Sequence, residues 1–207
     1  MIEVCIDVVA FWHPGTGRGE GPGSDARANR DAVGLPFLPG RTVKGVLREG
    51  AQTAADLGQL NPEDVVAVFG TNFRRDASDG PADSERAARH QTHQGIIVVG
   101  SACLGATSAE VRGWQALAET KTGGGPDLRP LYRRVASTKI AEDGQAANQT
   151  LRTIEVVVPV ELCAKVEAKN VPLVLKVLQA AAPYVTAVGA HRTRGLGRCV
   201  VTIREVK

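Results

Sequence analysis

The chain has 207 residues, with 25 lysines and arginines against 22 aspartates and glutamates and a formal net charge of +3. That length suits one domain with a sizeable core, and a charge so near balance neither demands nor excludes a polyanionic partner, so its distribution matters more than its sum. No apolar run approaches the roughly 20 residues of a membrane span, "MIEVCIDVVAFW" lacks the basic start of a secretory leader, and four cysteines at 5, 103, 163 and 199 form no CxxC pair, so they read as reduced core thiols of a cytoplasmic protein rather than a zinc knuckle.

Residues 2–11 predict a strand. Ile2, Val4, Ile6, Val8 and Ala10 alternate on one face, while Cys5, Val9 and Phe11 make the other face partly apolar, which places the strand inside a sheet. The next stretch, "WHPGTGRGEGPGSDARANRDAVGLPFLPG", has six glycines between positions 15 and 34 and predicts a long loop, either functional or disordered. From Thr42 to about Leu57 the periodicity is helical: Val43, Val46, Leu47, Gly50 and Ala54 share one face, and Arg41, Lys44 and Arg48 share another. A second helix is expected over 62–69, with Asn61 as N-cap and Pro62 in its first turn. Residues 71–94 are polar and mixed in charge and read as an exposed insertion.

Farther on, 95–104 predicts a buried strand, 108–119 a short helix carrying Val111, Trp114 and Leu117, and "KTGGGPDLRP" a break. Residues 131–167 predict one or two long hairpins, with a turn at Asp143-Gly144. A helix follows Asn170 and runs from Val171 to about Ala182, where Pro183 ends it. After the glycine-arginine loop "GAHRTRGLGR" (189–198), the chain closes on a strand over 199–206. Without its insertions the order is βαββαβ. The expected fold is therefore α+β, with a ferredoxin-like or RRM-like core, a long loop after the first strand and a β-hairpin insertion.

Four groups of residues could carry chemistry. Arg41, Lys44 and Arg48 stand on one helix face with no acid among them, and like charges so placed repel unless an anion sits between them. Three cations are also what a solvated face looks like. "LPFLPG" ahead of them tips the balance, because Pro36 and Pro39 stiffen the backbone and Gly40 admits close approach by a ligand or another backbone, at a helix start that favours anions. The loop 189–198 joins three glycines to Arg192, Arg194, Arg198 and His191, a composition suited to phosphate contacts. It is neither a Walker A loop nor a Rossmann fingerprint, since it follows a helix and precedes a strand. In the first loop, Glu20, Asp25 and Asp31 lie among Arg18, Arg27 and Arg30, either capping turns or holding a carboxylate against a phosphodiester. His13 borders that loop beside Trp12, suited to stacking or proton transfer, whereas the HxxH of His90 and His93 lacks further ligands nearby in sequence. No GxSxG or HExxH is present, and with aromatics at 4% and no RNP1-type motif, RNA binding through the backbone fits better than base stacking on a sheet.

These residues carry a resemblance. "GLPFLPGRTVKGVLRE", through Gly34, Pro36, Pro39, Gly40, Lys44, Gly45, Leu47 and Arg48, resembles the signature of the RAMP superfamily, the repeat-associated proteins of CRISPR systems. "GAHRTRGLGRCVV", through Gly189, Arg192, Arg194, Gly195, Gly197 and Arg198, resembles that family's C-terminal glycine-rich loop. Length and layout are most similar to the backbone subunits of type III effector complexes. The resemblance implies one RAMP-type domain over 1–207, with 121–158 as a thumb-like insertion. It implies CRISPR RNA, target RNA, other effector subunits and further copies of the chain along the guide as partners. It implies RNA contacts from Arg41, Lys44, Arg48, His191, Arg192, Arg194, Arg198, His13 and Arg18. In such subunits an aspartate six residues before an R-D pair cuts target RNA using the ribose 2′-hydroxyl and a divalent metal, expected to be Mg2+. Here that position is Asp25, with Asp31 bracing the turn. A scaffold subunit that cuts nothing, and a guide-processing endonuclease using His13, are the alternatives.

Overall fold

The structure, a computed structural model, describes residues 1–15, 26–71, 93–119, 127–138, 140, 144–147 and 149–206. In chain order its elements are β1 (Ile2–Val8), β2 (Phe37–Leu38), α1 (Gly40–Asp56), α2 (Pro62–Phe69), β3 (Ile97–Val99), β4 (Ala102–Leu104), α3 (Ser108–Glu119), β5 (Tyr132–Ser137), β6 (Arg152–Val157), β7 (Val160–Ala168), α4 (Val171–Ala181) and β8 (Cys199–Glu205). One antiparallel sheet runs β2-β4-β7-β1-β8, with β3 also paired to β7, and β5 and β6 form a separate two-stranded sheet.

The alternation of β1 explains the main core. Ile2, Val4, Ile6 and Val8 face the same way, joined by Leu162, Ala164 and Val166 of β7, and are covered by Val43 and Leu47 of α1 and Val174, Val177 and Leu178 of α4. Each fully buried aliphatic side chain of this kind contributes about 1.5–3 kcal/mol, which is what pulls the two helices onto this face. As expected, β1 is interior, paired with β7 from Ile2↔Val166 to Val8↔Val160 and with β8 from Ile2↔Glu205 to Val8↔Cys199. It stops at Val8, short of the expected residue 11.

Caps set the helix limits. Asn61 accepts from Glu63 N at 3.0 Å, and Asn170 from Leu173 N at 3.2 Å, each beside a proline in the first turn. α1 begins at Gly40, two residues before the sequence suggests, because the Pro39 carbonyl accepts from both Thr42 N and Val43 N. A Cβ at Gly40 would lie 2.2 Å from Val99 O, so the close approach that glycine permits is to the chain's own β3.

The single strand expected over 95–104 is two strands. β3 pairs with β7 as Ile97↔Ala168 and Val99↔Val166, but β4 pairs as Cys103↔Cys163 and Leu104↔Leu162, one residue out of step. The extra residue falls at Gly100–Ser101, where Gly100 N donates to Lys165 O. This is a β-bulge, and it reverses which alternate residues face the core: Ile97 before it, Ala102 and Leu104 after it.

The hairpin of β5 and β6 pairs from Tyr132↔Val157 to Ser137↔Arg152. Trp12, wholly buried, exchanges backbone hydrogen bonds with Val157 (3.1 and 2.8 Å) and donates its indole N–H to Val158 O at 3.2 Å, which staples the loop after β1 to the base of this hairpin. Asp143 of the expected turn lies outside the described residues, as does His90. The ends of the polar insertion close on each other through Thr71 N and His93 O. All four cysteines are free thiols, and burial pushes Cys163 up to about 12 and Cys199 up to about 11. Among the described residues no helix is long and apolar enough to cross a membrane.

Candidate functional site

The segments that stand out in the sequence meet at one place. The glycine-arginine loop lies against the chain leaving β1: Gly197 N donates to Phe11 O at 2.7 Å, Ala190 N to His13 O at 2.8 Å, and Val188 N to Gly197 O at 2.8 Å. Gly197 has φ +75°, and a Cβ there would fall 1.8 Å from Val188 O, so only glycine fits this seam. His191 sits at φ +59°, a left-handed conformation unusual for a residue with a side chain, and opens the short turn Arg192–Arg194. Beside the seam a cleft of ≈ 410 Å³ is walled by His13, Ala26, Asn29, Pro39, Thr42 and His191, among others. The loop after β1, the start of α1 and the glycine-arginine loop thus share one cavity. Asp25 and Arg18 lie outside the described residues. Ala26, the residue after Asp25, is on the cleft wall.

His13 is buried, at 2% exposure. Its Nδ1 lies 2.6 Å from Glu155 O, and a carbonyl only accepts, so Nδ1 carries the proton and Nε2 is left as an acceptor. Burial, and then His191, hold its pKa below the usual histidine value, against the opposing Glu155 carbonyl. The His13 and His191 ring centres are 6.0 Å apart and tilted by 40°.

A brace behind the cleft involves residues that sequence reasoning passed over. Glu155 on β6 accepts from Ala28 N (3.1 Å) and from the Arg30 guanidinium (2.7 Å). Arg30 lies 3.8 Å over the Tyr132 ring, and the Tyr132 hydroxyl donates to Gly34 O at 2.7 Å. Burial pushes the Tyr132 phenol up to about 12. Asp31 accepts from Val33 N (3.0 Å) and Leu35 N (2.8 Å), which is the turn brace expected of it. The only local hint of this role for Glu155 is an acid set in the apolar run "TIEVVV".

The cations divide. Thr42 lines the cleft, Val46 and Glu49 face the glycine-arginine loop, and Arg192 pairs with Glu49 at 3.0 Å. Lys44 and Arg48 lie roughly 130° around the helix at 100° per residue. Lys44 Nζ reaches Ile97 O at 3.5 Å, and Arg48 donates to Gly70 O at 2.7 Å. Burial, with Arg48 second, lowers the Lys44 pKa. Arg41, Arg194 and Arg198 are exposed. The described part of the cleft wall offers imidazole, amide and hydroxyl groups, and Asp25, the carboxylate that the resemblance assigns to this loop, lies outside the described residues.

The family model described as the RAMP superfamily matches residues 5–200. The chain belongs to the RAMP superfamily. No curated protein matches it in sequence. This RAMP chain is similar in fold to a chain of a type III-B Cmr-beta assembly bound to cognate target RNA (TM-score 0.62, 13% identity), covering 100% of itself and 60% of that chain. It is also similar to a chain of apo type III-B Cmr-beta (TM-score 0.61, 10% identity, 99% of itself and 97% of that chain), and to one of a type IV-B CRISPR complex (0.58, 15%, 99% and 90%).

Proposed function

We propose that this RAMP chain is a guide-RNA-binding subunit of a CRISPR effector complex of the type III kind. The observation that carries the reading is the single cleft formed where the loop after β1, the N-terminus of α1 and the glycine-arginine loop meet, with Arg194 and Arg198 exposed beyond it. The left-handed turn at His191 leads into exposed Arg194 and Arg198, whose guanidinium forks suit phosphate oxygens. The sheet order supports a ferredoxin-like core. With β3 and β4 counted as one bulged strand, the four main strands lie fourth, first, third, second, with helices joining the first to the second and the third to the fourth. The β5–β6 hairpin falls within the insertion over 121–158, which supports reading it as a thumb.

The proposal extends to partners and cutting. Other copies and other subunits would line up along the guide, and Asp25 would activate the ribose 2′-hydroxyl of a bound target strand. The burial of His13, at 2% exposure, speaks against the guide-processing alternative that would use it as a general acid or base. Two measurements decide. Changing Arg194 and Arg198 together to alanine should weaken guide-RNA binding and flatten its dependence on salt; unchanged affinity and slope reject the interface. In the assembled complex, Asp25→Ala should abolish target cleavage while guide binding persists; undiminished cleavage removes Asp25 from the chemistry, and a wild-type complex that cuts nothing establishes the scaffold.

A further inference from the structure

The far face of the central sheet, turned away from α1 and α4, holds a cluster that takes no part in the cleft. Cys5 on β1 stands directly opposite Cys163 on β7. Glu3, two residues before Cys5, shares its face. The two sulfurs and a carboxylate oxygen of Glu3 all lie within 4.8 Å of one another, and the three residues are 8%, 4% and 5% exposed.

The polar atoms of this pocket are only partly matched, the Cys5 thiol donating to Ala106 O at 3.1 Å. The Glu3 carboxylate accepts one long hydrogen bond, from Ser108 N at the start of α3, at 3.3 Å. Lys165 and Arg204 stand opposite it on the neighbouring strands, but neither closes an ion pair with it. These two cations balance part of the carboxylate's charge, so it is the convergence of the three ligand atoms that points to a bound cation. Ser108 supplies a second, separate sign. The residue is 8% exposed, and its Oγ is the only buried side-chain nitrogen or oxygen among the described residues with no hydrogen-bond partner. One carboxylate, two soft sulfurs and an orphan hydroxyl therefore converge, all of them able to give electron pairs.

We propose that Glu3, Cys5 and Cys163 bind a zinc ion, with the Ser108 hydroxyl or a water that it holds as the fourth ligand. Zinc takes thiolate sulfur at about 2.3 Å and carboxylate oxygen at about 2.0–2.2 Å in a tetrahedron, and ligand atoms within 4.8 Å of one another stand near the spacing such a site needs. Two thiols disfavour magnesium and calcium, which prefer oxygen throughout. The site is closed in by β1, β7 and the start of α3, so its role is to tie those elements together. Cys103 is also opposite Cys163, across β4, but its sulfur is not in the group, and it serves as the internal control.

The test uses the full chain, stripped with a chelator and titrated with zinc alone against a chromophoric competitor, then with cobalt as a spectroscopic stand-in. One equivalent of zinc should bind, the cobalt form should show thiolate charge-transfer and tetrahedral visible bands, and zinc should raise the melting temperature. Glu3→Gln should weaken zinc binding about tenfold or more, Cys5→Ser and Cys163→Ser should lose the cobalt charge-transfer band, and Cys103→Ser should match the parent. Glu3→Gln keeps the side-chain volume and answers the question even if a cysteine variant fails to fold, with circular dichroism confirming that each variant tested is folded. The proposal is overturned if the parent chain takes up no more zinc than Glu3→Gln, if bound cobalt shows no thiolate band, or if Cys5 and Cys163 oxidise to a disulfide and no metal binds before or after reduction.

Discussion

The basic face of α1 and the glycine-arginine loop have similar charge in the sequence but opposite positions in the fold. Lys44 and Arg48 are half-buried and turned onto the carbonyls of Ile97 and Gly70, where they tie α1 to β3 and to the end of α2. Arg194 and Arg198 project outward from a loop whose backbone is held by two tight glycine seams. A cation on a helix is placed by its own helix and reaches whatever carbonyl packs beside it. A cation on a strained loop is placed by the backbone and leaves its side chain to solvent or to a ligand. One region spends charge on the fold, and the other presents it.

The contrast can be broken most forcefully at the seam. Gly197→Ala should destabilise the chain by about 3 kcal/mol or more, because a Cβ would meet Val188 O. Gly195→Ala, at φ +83° but with nothing within 4 Å, should cost only about 1 kcal/mol. Equal melting temperatures for the two variants would mean that the seam does not hold the loop. Next in size, Arg48→Ala should cost about 1.5–3 kcal/mol in denaturant unfolding, since it removes a charged donor from a carbonyl, whereas Arg198→Ala should stay within about 0.5 kcal/mol.

Three smaller effects sharpen the same comparison. In RNA-binding titrations, each of Arg194→Ala and Arg198→Ala should lower the salt slope by about 1, and Arg48→Ala should lower it less; an equal loss from Arg48 would erase the division. The pH dependence of stability tests the buried side of the seam. Because burial lowers the folded-state pKa of His13 below its ordinary 6.5, its contribution is fully present above that value and is lost as the pH falls through the folded one. Unfolding followed from pH 7.5 downward should therefore show a loss that His13→Gln lacks. Smallest of all, Glu49→Gln frees Arg192 from its exposed ion pair. It should change stability by less than about 0.5 kcal/mol and modestly raise RNA affinity.

Local devices were legible in the sequence because their partners lie within a few residues. Asn61 and Asn170 cap helices three or fewer residues away, Asp31 braces its own turn, and the alternation of β1 foretells an interior strand. The bulge at Gly100–Ser101 was not legible, since "GIIVVGSACL" is apolar enough to pass for one continuous strand and the slip exists only against β7. Glu155 was missed for a related reason. Its partners Ala28, Arg30 and His13 are more than 120 residues away, so nothing near it in sequence marks it as the back wall of a cleft.

The four cysteines show where the division falls. Their wide spacing and apolar neighbours, with no CxxC pair, settle by themselves that no compact sequence-local metal knuckle exists. Only the register of β1 on β7 sets Cys5 against Cys163, beside Glu3 and beneath Ser108. Periodicity, caps and turn residues act over distances that the chain itself sets, so they belong to the sequence. Register, bulges and the juxtaposition of strands depend on which pairing buries the most apolar surface across the whole molecule, and the structure alone decides those.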